Sequence, residues 1–162
     1  MLSTQNKFVL RCILFFSIFA LCLAYFVQYV LDHQPCNLCV IERIPYFSAV
    51  ILITLIFILN KYEKIISLVI TLFFIFGIII SFYHVGIEQG FFSESLVCEL
   101  GGIKSNNMSA DELLEELGKK NVSCKDVTFT ILGFSLATFN TILSLVLSVI
   151  MIKNIKKYGK NK

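Results

Sequence analysis

Charged residues are scarce in this chain: Asp, Glu, Lys and Arg make up 15% of its 162 residues. An average soluble domain carries about 25% of such residues, so the scarcity argues against an ordinary soluble domain. The sequence also lacks internal repeats and low-complexity segments. Apolar residues dominate instead, at 57% of the chain, with a mean hydropathy of +0.81. These values predict an integral membrane protein.

Four long apolar runs divide the chain. A helix needs about 20 residues to cross the hydrocarbon core, and the runs predict spans at about 8–30, 39–59, 65–83 and 127–152. The predicted fold is therefore all-α, a four-transmembrane-helix bundle in which residues 1–162 form a single integral membrane domain.

The second span must include polar residues, because its purely apolar part is too short. Residues 45–59 would extend only about 22 Å as a helix, whereas a start at Cys39 gives about 31 Å. The hydrocarbon core is about 30 Å thick, so the span is predicted to contain Arg43 and Pro45. Because proline has no N–H for the helix ladder, we expect a bend between Ile41 and Pro45.

The first apolar run lacks the features of a cleaved signal peptide. It is longer than the roughly 7 to 15 apolar residues of such a peptide, and no A-x-A cleavage site follows it. A lipoprotein processing site at Cys22 is disfavoured, because the bulky Leu21 stands where a small residue is expected. We interpret this run as a retained span.

Basic residues flank the predicted spans on one side of the membrane. They precede the first span, separate the second from the third and follow the fourth: Lys7, Arg11, Lys61, Lys64, Lys153, Lys156, Lys157, Lys160 and Lys162. Cytoplasmic segments are enriched in Lys and Arg. Both termini are therefore predicted to be cytoplasmic, and the loops at about 31–38 and 84–126 to face outward. A capping-box spacing from Ser109 to Glu112 predicts a short helix at 109–118 in the longer loop.

Four of the six cysteines fall in the outward segments: Cys36, Cys39, Cys98 and Cys124. In an oxidising compartment such cysteines are expected to form disulfides. A zinc site could use a C-x-x-C pair with two further cysteines, but 25 residues lie between Cys98 and Cys124 and the compartment is oxidising. A purely structural disulfide between Cys98 and Cys124 is the other alternative. It does not explain the C-x-x-C pair, because the ring of that pair is too short to constrain the chain much and such pairs are typical of thiol–disulfide exchange. Cys12 and Cys22 lie within the first span and are expected to be buried apolar residues.

The C-x-x-C pair is predicted to lie at a helix start with a cation close by. Cys39 would occupy the first turn, where unpaired N–H groups and the helix dipole favour a thiolate. Arg43 follows four residues later, on the same helical face. An ionisable residue this close to lipid indicates function, although snorkelling or an ion pair with Glu42 or Glu88 would also account for it.

Several motifs follow one another in a defined order. They are Pro35-Cys36-x-x-Cys39 with Glu42-Arg43-Ile44-Pro45-Tyr46, Tyr83-His84-x-Gly86-x-Glu88, Cys98 and Cys124, and Leu132-Gly133-Phe134-Ser135-Leu136-Ala137-x-x-Asn140. A C-x-x-C motif alone is a weak indicator, but this ordered set on four spans is specific. The chain resembles the disulfide bond formation protein B (DsbB) family of bacterial membrane thiol oxidases over nearly its whole length.

The resemblance implies a quinone-dependent protein-dithiol oxidoreductase that generates disulfides. It would lie in the bacterial inner (cytoplasmic) membrane with its redox loops facing the periplasm. The redox disulfides would be Cys36–Cys39 and Cys98–Cys124. A reduced periplasmic, thioredoxin-like protein of the DsbA type would attack the second disulfide at Cys98, and electrons would then pass through the first.

The resemblance also implies the electron acceptor, a membrane quinone that could be ubiquinone or menaquinone. Electrons would reach it from Cys39. Arg43 would bind the quinone and stabilise the negative charge that develops on it, and His84 would lie at the quinone site and steer protons. No metal site is expected. Asn140 is expected to bond across helices within the bundle, which is a packing role.

The chain departs from the family pattern beyond the last loop cysteine. Family members commonly have proline then tryptophan where this chain has Thr128-Phe129, and glycine where it has Thr138; the chain contains no tryptophan. These departures leave open how the outer loop joins the fourth span and whether the protein serves a dedicated partner.

Two other functions fit part of the pattern. A vitamin K epoxide reductase-like quinone reductase is one, but in that family the quinone-facing C-x-x-C lies on a late span, whereas here it opens the second. The other is a non-enzymatic tetraspan scaffold or metal-binding protein that uses the outer thiols as clamps. That function leaves Arg43 unexplained.

Overall fold

The computed structural model describes residues 4–59, 62–93, 98, 123–125, 130–131 and 133–160. The short helix predicted at 109–118, and most of the predicted outer loop, lie outside the described residues.

The described residues are mostly helical. The elements are α1 (Thr4–Tyr29), α2 (Asn37–Ile41), α3 (Ile44–Leu59), α4 (Glu63–Glu88), β1 (Thr130–Ile131), β2 (Phe134–Ser135) and α5 (Leu136–Lys160). Since α2 and α3 follow each other as one span, four segments are long and apolar enough to cross a membrane: Asn6–Tyr29, Asn37–Leu59, Glu63–Glu88 and Leu136–Lys156. The predicted all-α architecture with four spans is confirmed.

The second span is interrupted at Glu42 and Arg43, between α2 and α3. The Arg43 N–H donates to the Val40 carbonyl at 3.2 Å, which is a tighter turn than the α-helix makes, and regular bonding resumes when the Phe47 N–H donates to the Arg43 carbonyl at 3.1 Å. Pro45 lies just after the break and has no N–H to donate. The sequence predicted a bend between Ile41 and Pro45, and in the structure the helix breaks at Glu42 and Arg43, within that segment.

The helices pack around α4, which contacts both α3 and α5, while α1 packs mainly on α3. The buried core consists of Leu10, Ile13, Leu21, Tyr46, Ala49, Ile53, Ile56, Ile70, Phe74, Leu147 and Met151. A Cβ at Gly77 would lie 3.1 Å from Pro45 Cγ, so this glycine lets α3 approach α4 closely. Large apolar side chains such as Phe15 and Ile58 stay exposed on the outer faces, as expected where the neighbour is lipid.

The ends of the last two spans differ from those expected from hydropathy. Helix α4 continues to Glu88 rather than ending near residue 83, so His84 lies on the helix. Helix α5 begins at Leu136 rather than near residue 127, because β1 and β2 form a hairpin before it. Gly133 turns that hairpin with a φ of 84°, a conformation that side-chain-bearing residues rarely adopt.

Candidate active site

The four predicted redox cysteines lie in one apolar cluster, at the end of the bundle where α2 begins and α4 ends. We name it the outer cluster. Its buried members are Cys36, Leu38, Ile87 and Cys124, against which Cys39, Ile41, Ile80, Tyr83 and Cys98 pack. Segments far apart in sequence therefore bring their cysteines to one place.

Cys98 and Cys124 are joined by a disulfide, with their Cα atoms 5.9 Å apart. Cys124 is 2% exposed, so one half of this disulfide is buried in the outer cluster. The bridge therefore lies beside the C-x-x-C pair, although 26 residues separate its own two cysteines in the sequence.

Cys36 and Cys39 are present as two thiols, with their sulfur atoms 2.7 Å apart. Cys36 is the residue that caps α2, because its sulfur accepts the Cys39 N–H at 3.3 Å. The hydrogen bond from the Cys39 thiol lowers the pKa of Cys36 to about 5, and the hydrogen bond and charge of His84 act in the same direction, while burial opposes them. The sequence placed the stabilised thiolate on Cys39, whereas the structure gives the capping position to Cys36.

His84 connects the C-x-x-C pair to a buried carboxylate. Its Nε2 lies 3.5 Å from Cys36 Sγ, and its Nδ1 lies 2.8 Å from Glu42 Oε1. Both polar residues are buried, with 3% of His84 and 7% of Glu42 exposed. A second carboxylate, that of Glu88, lies 3.8 Å from Nε2. The histidine is therefore held between a thiol and a carboxylate inside the bundle.

Asn140 on α5 holds the second oxygen of the Glu42 carboxylate, the one that does not contact His84. Its Nδ2 donates to Glu42 Oε2 at 2.9 Å and to Ser81 Oγ at 2.6 Å, and its Oδ1 accepts the Tyr46 hydroxyl. Tyr46 also contacts Ser144 on α5. These bonds join α3, α4 and α5, so Asn140 does bond across helices as predicted, and it additionally contacts the carboxylate that holds His84.

The Arg43 side chain extends toward α1. Its Nη1 donates to Gln28 Oε1 at 2.6 Å, and its guanidinium carbon lies 5.0 Å from the centre of the Tyr25 ring. Among the described residues Arg43 forms no ion pair with Glu42, whose carboxylate bonds to His84 and Asn140 instead. The structure thus brings His84 to the cysteines, and it places the Arg43 guanidinium on the opposite side, against α1.

An apolar groove of about 490 Å³ runs between α1 and α3 beside this arginine. It is lined by Ile18, Leu21, Cys22, Tyr25, Phe26, Val30, Phe47 and Val50. Tyr25 belongs both to the groove and to the contacts of Arg43. Cys22 is exposed on this face, so the expectation that it is buried was wrong.

Cys36, Cys39 and His84 carry donor atoms of the kinds that bind zinc, all within 4.8 Å of one another. Two sulfurs on one tetrahedral zinc would lie about 3.7 Å apart, whereas these lie 2.7 Å apart. The sulfur spacing is closer to that of a disulfide, and we assign no metal here.

Sequence reasoning missed the roles of Glu42 and Gln28. A signal for Glu42 was available, because a carboxylate inside an apolar span must find a buried partner, and His84 is a titratable residue on another span. For Gln28 the signal was weak, since a glutamine near a helix end is usually a solvated residue.

A helical membrane bundle that places a disulfide against a C-x-x-C dithiol with a buried histidine defines a class of protein, the membrane thiol–disulfide oxidoreductases. Comparison with known families narrows the class. The family model described as disulfide bond formation protein DsbB matches residues 6–153, and the chain belongs to the DsbB family. It is therefore a multi-pass membrane oxidoreductase of disulfide-bond formation.

One relative and the solved structures complete the comparison. The chain is 32% identical over 139 residues to the uncharacterized protein RP370 of Rickettsia prowazekii (strain Madrid E). The aligned residues make up 83% of this chain and 79% of that protein. No solved structure matches the chain.

Proposed function

We propose that this protein is a thiol:quinone oxidoreductase that reoxidises a periplasmic dithiol protein of the DsbA type and passes the electrons to a membrane quinone. One observation carries the proposal: the Cys98–Cys124 disulfide and the Cys36–Cys39 dithiol lie in the same buried cluster. Disulfide exchange needs a thiolate to reach a sulfur of the other pair. Neighbouring pairs at one end of the bundle meet that requirement.

The first half of the reaction oxidises the partner. A thiolate of the reduced partner attacks Cys98 Sγ, so that a mixed disulfide forms and the thiolate of Cys124 leaves. The second partner thiolate attacks the mixed disulfide and releases the oxidised partner. Two electrons now reside on the thiols of Cys98 and Cys124.

The second half transfers these electrons to the quinone. Exchange with a Cys36–Cys39 disulfide re-forms the Cys98–Cys124 bond and leaves the C-x-x-C pair reduced. Two electrons and two protons then pass from the dithiol to the quinone, with Cys39 as the donor cysteine. The C-x-x-C disulfide and a quinol result.

The groove between α1 and α3 fits a lipid-soluble quinone. Its lining is apolar and suits an isoprenoid chain, and Arg43 lies beside it with donors suited to a quinone oxygen. The chain's contribution is to orient the ring and to stabilise negative charge with the guanidinium. In this proposal the outer cluster faces the periplasm of a bacterial inner membrane, as the distribution of basic residues predicts.

The test is reconstitution from purified components. The protein in detergent, a reduced DsbA-type partner and either ubiquinone or menaquinone are mixed, and thiols of the partner and quinol absorbance are followed together. We expect one quinol for each partner disulfide formed, and no partner oxidation without quinone. Partner oxidation that proceeds equally well without quinone under anaerobic conditions would contradict the proposed acceptor.

Arg43 supplies a second prediction. Arg43→Gln should raise the KM for quinone about tenfold or more, since a hydrogen bond to a charged group contributes about 1.5 to 3 kcal/mol. Exchange between the partner and Cys98–Cys124 should stay near the wild-type rate. The measurement is steady-state quinone reduction at varied quinone concentration, with Arg11→Gln, near the N-terminal end of α1, as the matched control. An unchanged KM in Arg43→Gln would remove this residue from the quinone site.

A further inference from the structure

Both oxygens of the Glu42 carboxylate lie within hydrogen-bond distance of a nitrogen. Oε2 accepts from an amide nitrogen of Asn140, and Oε1 lies 2.8 Å from His84 Nδ1. A carboxylate is a hydrogen-bond acceptor, so we assign the hydrogen between Glu42 and His84 to Nδ1. With that tautomer the lone pair of Nε2 in the neutral imidazole faces Cys36 Sγ at 3.5 Å.

All hydrogen-bonding atoms of the Asn140 side chain have partners. Nδ2 donates one hydrogen to Glu42 and the other to Ser81, and Oδ1 accepts from Tyr46. With every donor and acceptor bonded, the amide cannot rotate without losing hydrogen bonds inside the bundle. Asn140 therefore fixes where the Glu42 carboxylate lies, and through it which face His84 presents.

We propose that His84 is the base that deprotonates Cys36, and that Glu42 and Asn140 are positioning residues that hold it in the required tautomer. This inference rests on the proposed function. The proton of the Cys36 thiol moves to His84 Nε2. The Cys36 thiolate forms the bond to Cys39 Sγ as the electron pair from the dithiol passes to the quinone, and the two thiol protons, one of them held on His84, balance the quinol that results.

Within the part of the chain that the structure describes, few titratable groups lie close to His84. They are the thiols of Cys36, which caps α2, and Cys39, the carboxylate of Glu42 at the helix break, and that of Glu88 at 3.8 Å on its own helix. Helix α5 has no charged residue between 136 and 152. Near Glu42 and His84 it therefore places a neutral polar residue, Asn140. The Cys98–Cys124 disulfide does not titrate, and Lys125 next to it is exposed.

The effect of removing Glu42 on the formation of the Cys36 thiolate distinguishes a positioning role of Glu42 from a purely electrostatic one. If Glu42 acted only as a nearby negative charge, its removal would make the Cys36 thiolate easier to form. If Glu42 positions the base, its removal makes that thiolate harder to form, because the imidazole loses the tautomer that accepts the proton. The two explanations predict shifts of opposite sign.

The experiment measures alkylation of Cys36 in the reduced protein, with no partner and no quinone. Iodoacetamide pulses are applied across pH 4 to 10, and peptide mass spectrometry quantifies Cys36 alone. The midpoint of the pH profile is compared, because the midpoint does not depend on how accessible the thiol is. For the wild type we expect a midpoint below the ordinary pKa of a cysteine thiol. Glu42→Gln and His84→Gln should raise it by about one pH unit or more, a tenfold loss of thiolate below the midpoint.

Asn140→Ala should raise the midpoint by a smaller amount, and its matched control is Asn154→Ala. Asn154 is also a buried asparagine of α5, 4% exposed, but it lies 14 residues further along the helix, about 21 Å away. It should leave the midpoint unchanged. Glu88→Gln removes a carboxylate that makes no bond to Nδ1, and it should leave the midpoint unchanged or lower it.

A lowered or unchanged midpoint in Glu42→Gln overturns the proposal. So does an Asn140→Ala variant that unfolds at lower temperature yet keeps the wild-type midpoint, because that result describes a purely structural asparagine. If Glu42→Gln does not fold, His84→Gln and Asn140→Ala decide. Since no quinone is present, a failed reconstitution with shifted midpoints refutes the electron acceptor alone, whereas normal reconstitution with unshifted midpoints refutes this proton route alone.

Discussion

Cys39→Ser should abolish quinone reduction. Loss of a residue that acts directly in the reaction lowers turnover by several orders of magnitude, and here we expect at least about 10³-fold. The physical reason is that serine cannot form a disulfide, so the pair can neither accept electrons from Cys98–Cys124 nor donate them onward. The measurement is quinol formation with a reduced DsbA-type partner. A single exchange between that partner and the Cys98–Cys124 bridge should still occur and then stop.

The matched control is Cys12→Ser. The same atom is exchanged at a half-buried position of α1, on a cysteine that belongs neither to the proposed relay nor to the groove between α1 and α3. We expect its turnover to stay within about twofold of the wild type, as for a substitution away from the site. Thermal unfolding of both variants in detergent shows whether a loss of activity reflects folding. Normal turnover in a folded Cys39→Ser protein would contradict the relay.

Cys124→Ser should trap the natural partner on Cys98. The remaining Cys98 thiolate attacks the disulfide of an oxidised partner, and the resulting mixed disulfide accumulates because Cys124, the thiol that normally re-forms the bridge with Cys98, is absent. A cell extract alkylated at once and run without reductant should show a band of higher mass that reductant removes. Mass spectrometry of that band identifies the partner and the cysteine to which it is attached.

The control for trapping is the double variant Cys98→Ser with Cys124→Ser, which should show no such band. Cys98→Ser alone should stop partner oxidation, while its Cys36–Cys39 pair still exchanges electrons with quinone after chemical reduction. A band that survives in the double variant would mean that the partner attaches elsewhere. Partner oxidation at the wild-type rate in Cys98→Ser would refute the proposed order of the two disulfides.

The number of spans could be predicted from the sequence, because a lipid environment imposes a length and a composition on each helix. The presence of polar residues in the second span was also predictable, since the apolar residues from Pro45 onward are too few to cross the core. The start of α5 was not. Hydropathy does not distinguish an apolar hairpin from the first turns of an apolar helix, and only the turn at Gly133 separates them in the structure.

The candidate site was predictable in its residues and less so in its contacts. Cysteines are chemically distinctive, so their positions predicted which four would lie at one end of the bundle, and in the structure these four belong to the outer cluster. Side-chain directions at the helix break could not be derived, because helical spacing stops applying where the helix stops. That is why Arg43 was expected near Cys39 yet contacts Gln28 and Tyr25, and why the bond from Asn140 to Glu42 was not foreseen.

The break between α2 and α3 has an electrostatic consequence. Glu42 and Arg43 are adjacent in the chain and opposite in charge, and in a continuous exposed helix such neighbours would largely compensate each other for any distant charge. Here Glu42 is directed into the bundle, where it bonds to His84, and Arg43 is directed toward α1. The span therefore carries a transverse dipole, with its negative end beside His84 and its positive end beside α1, in a medium that screens poorly. A negative charge loses electrostatic energy as it moves from the His84 side to the Arg43 side, so this dipole favours electron transfer toward the groove between α1 and α3.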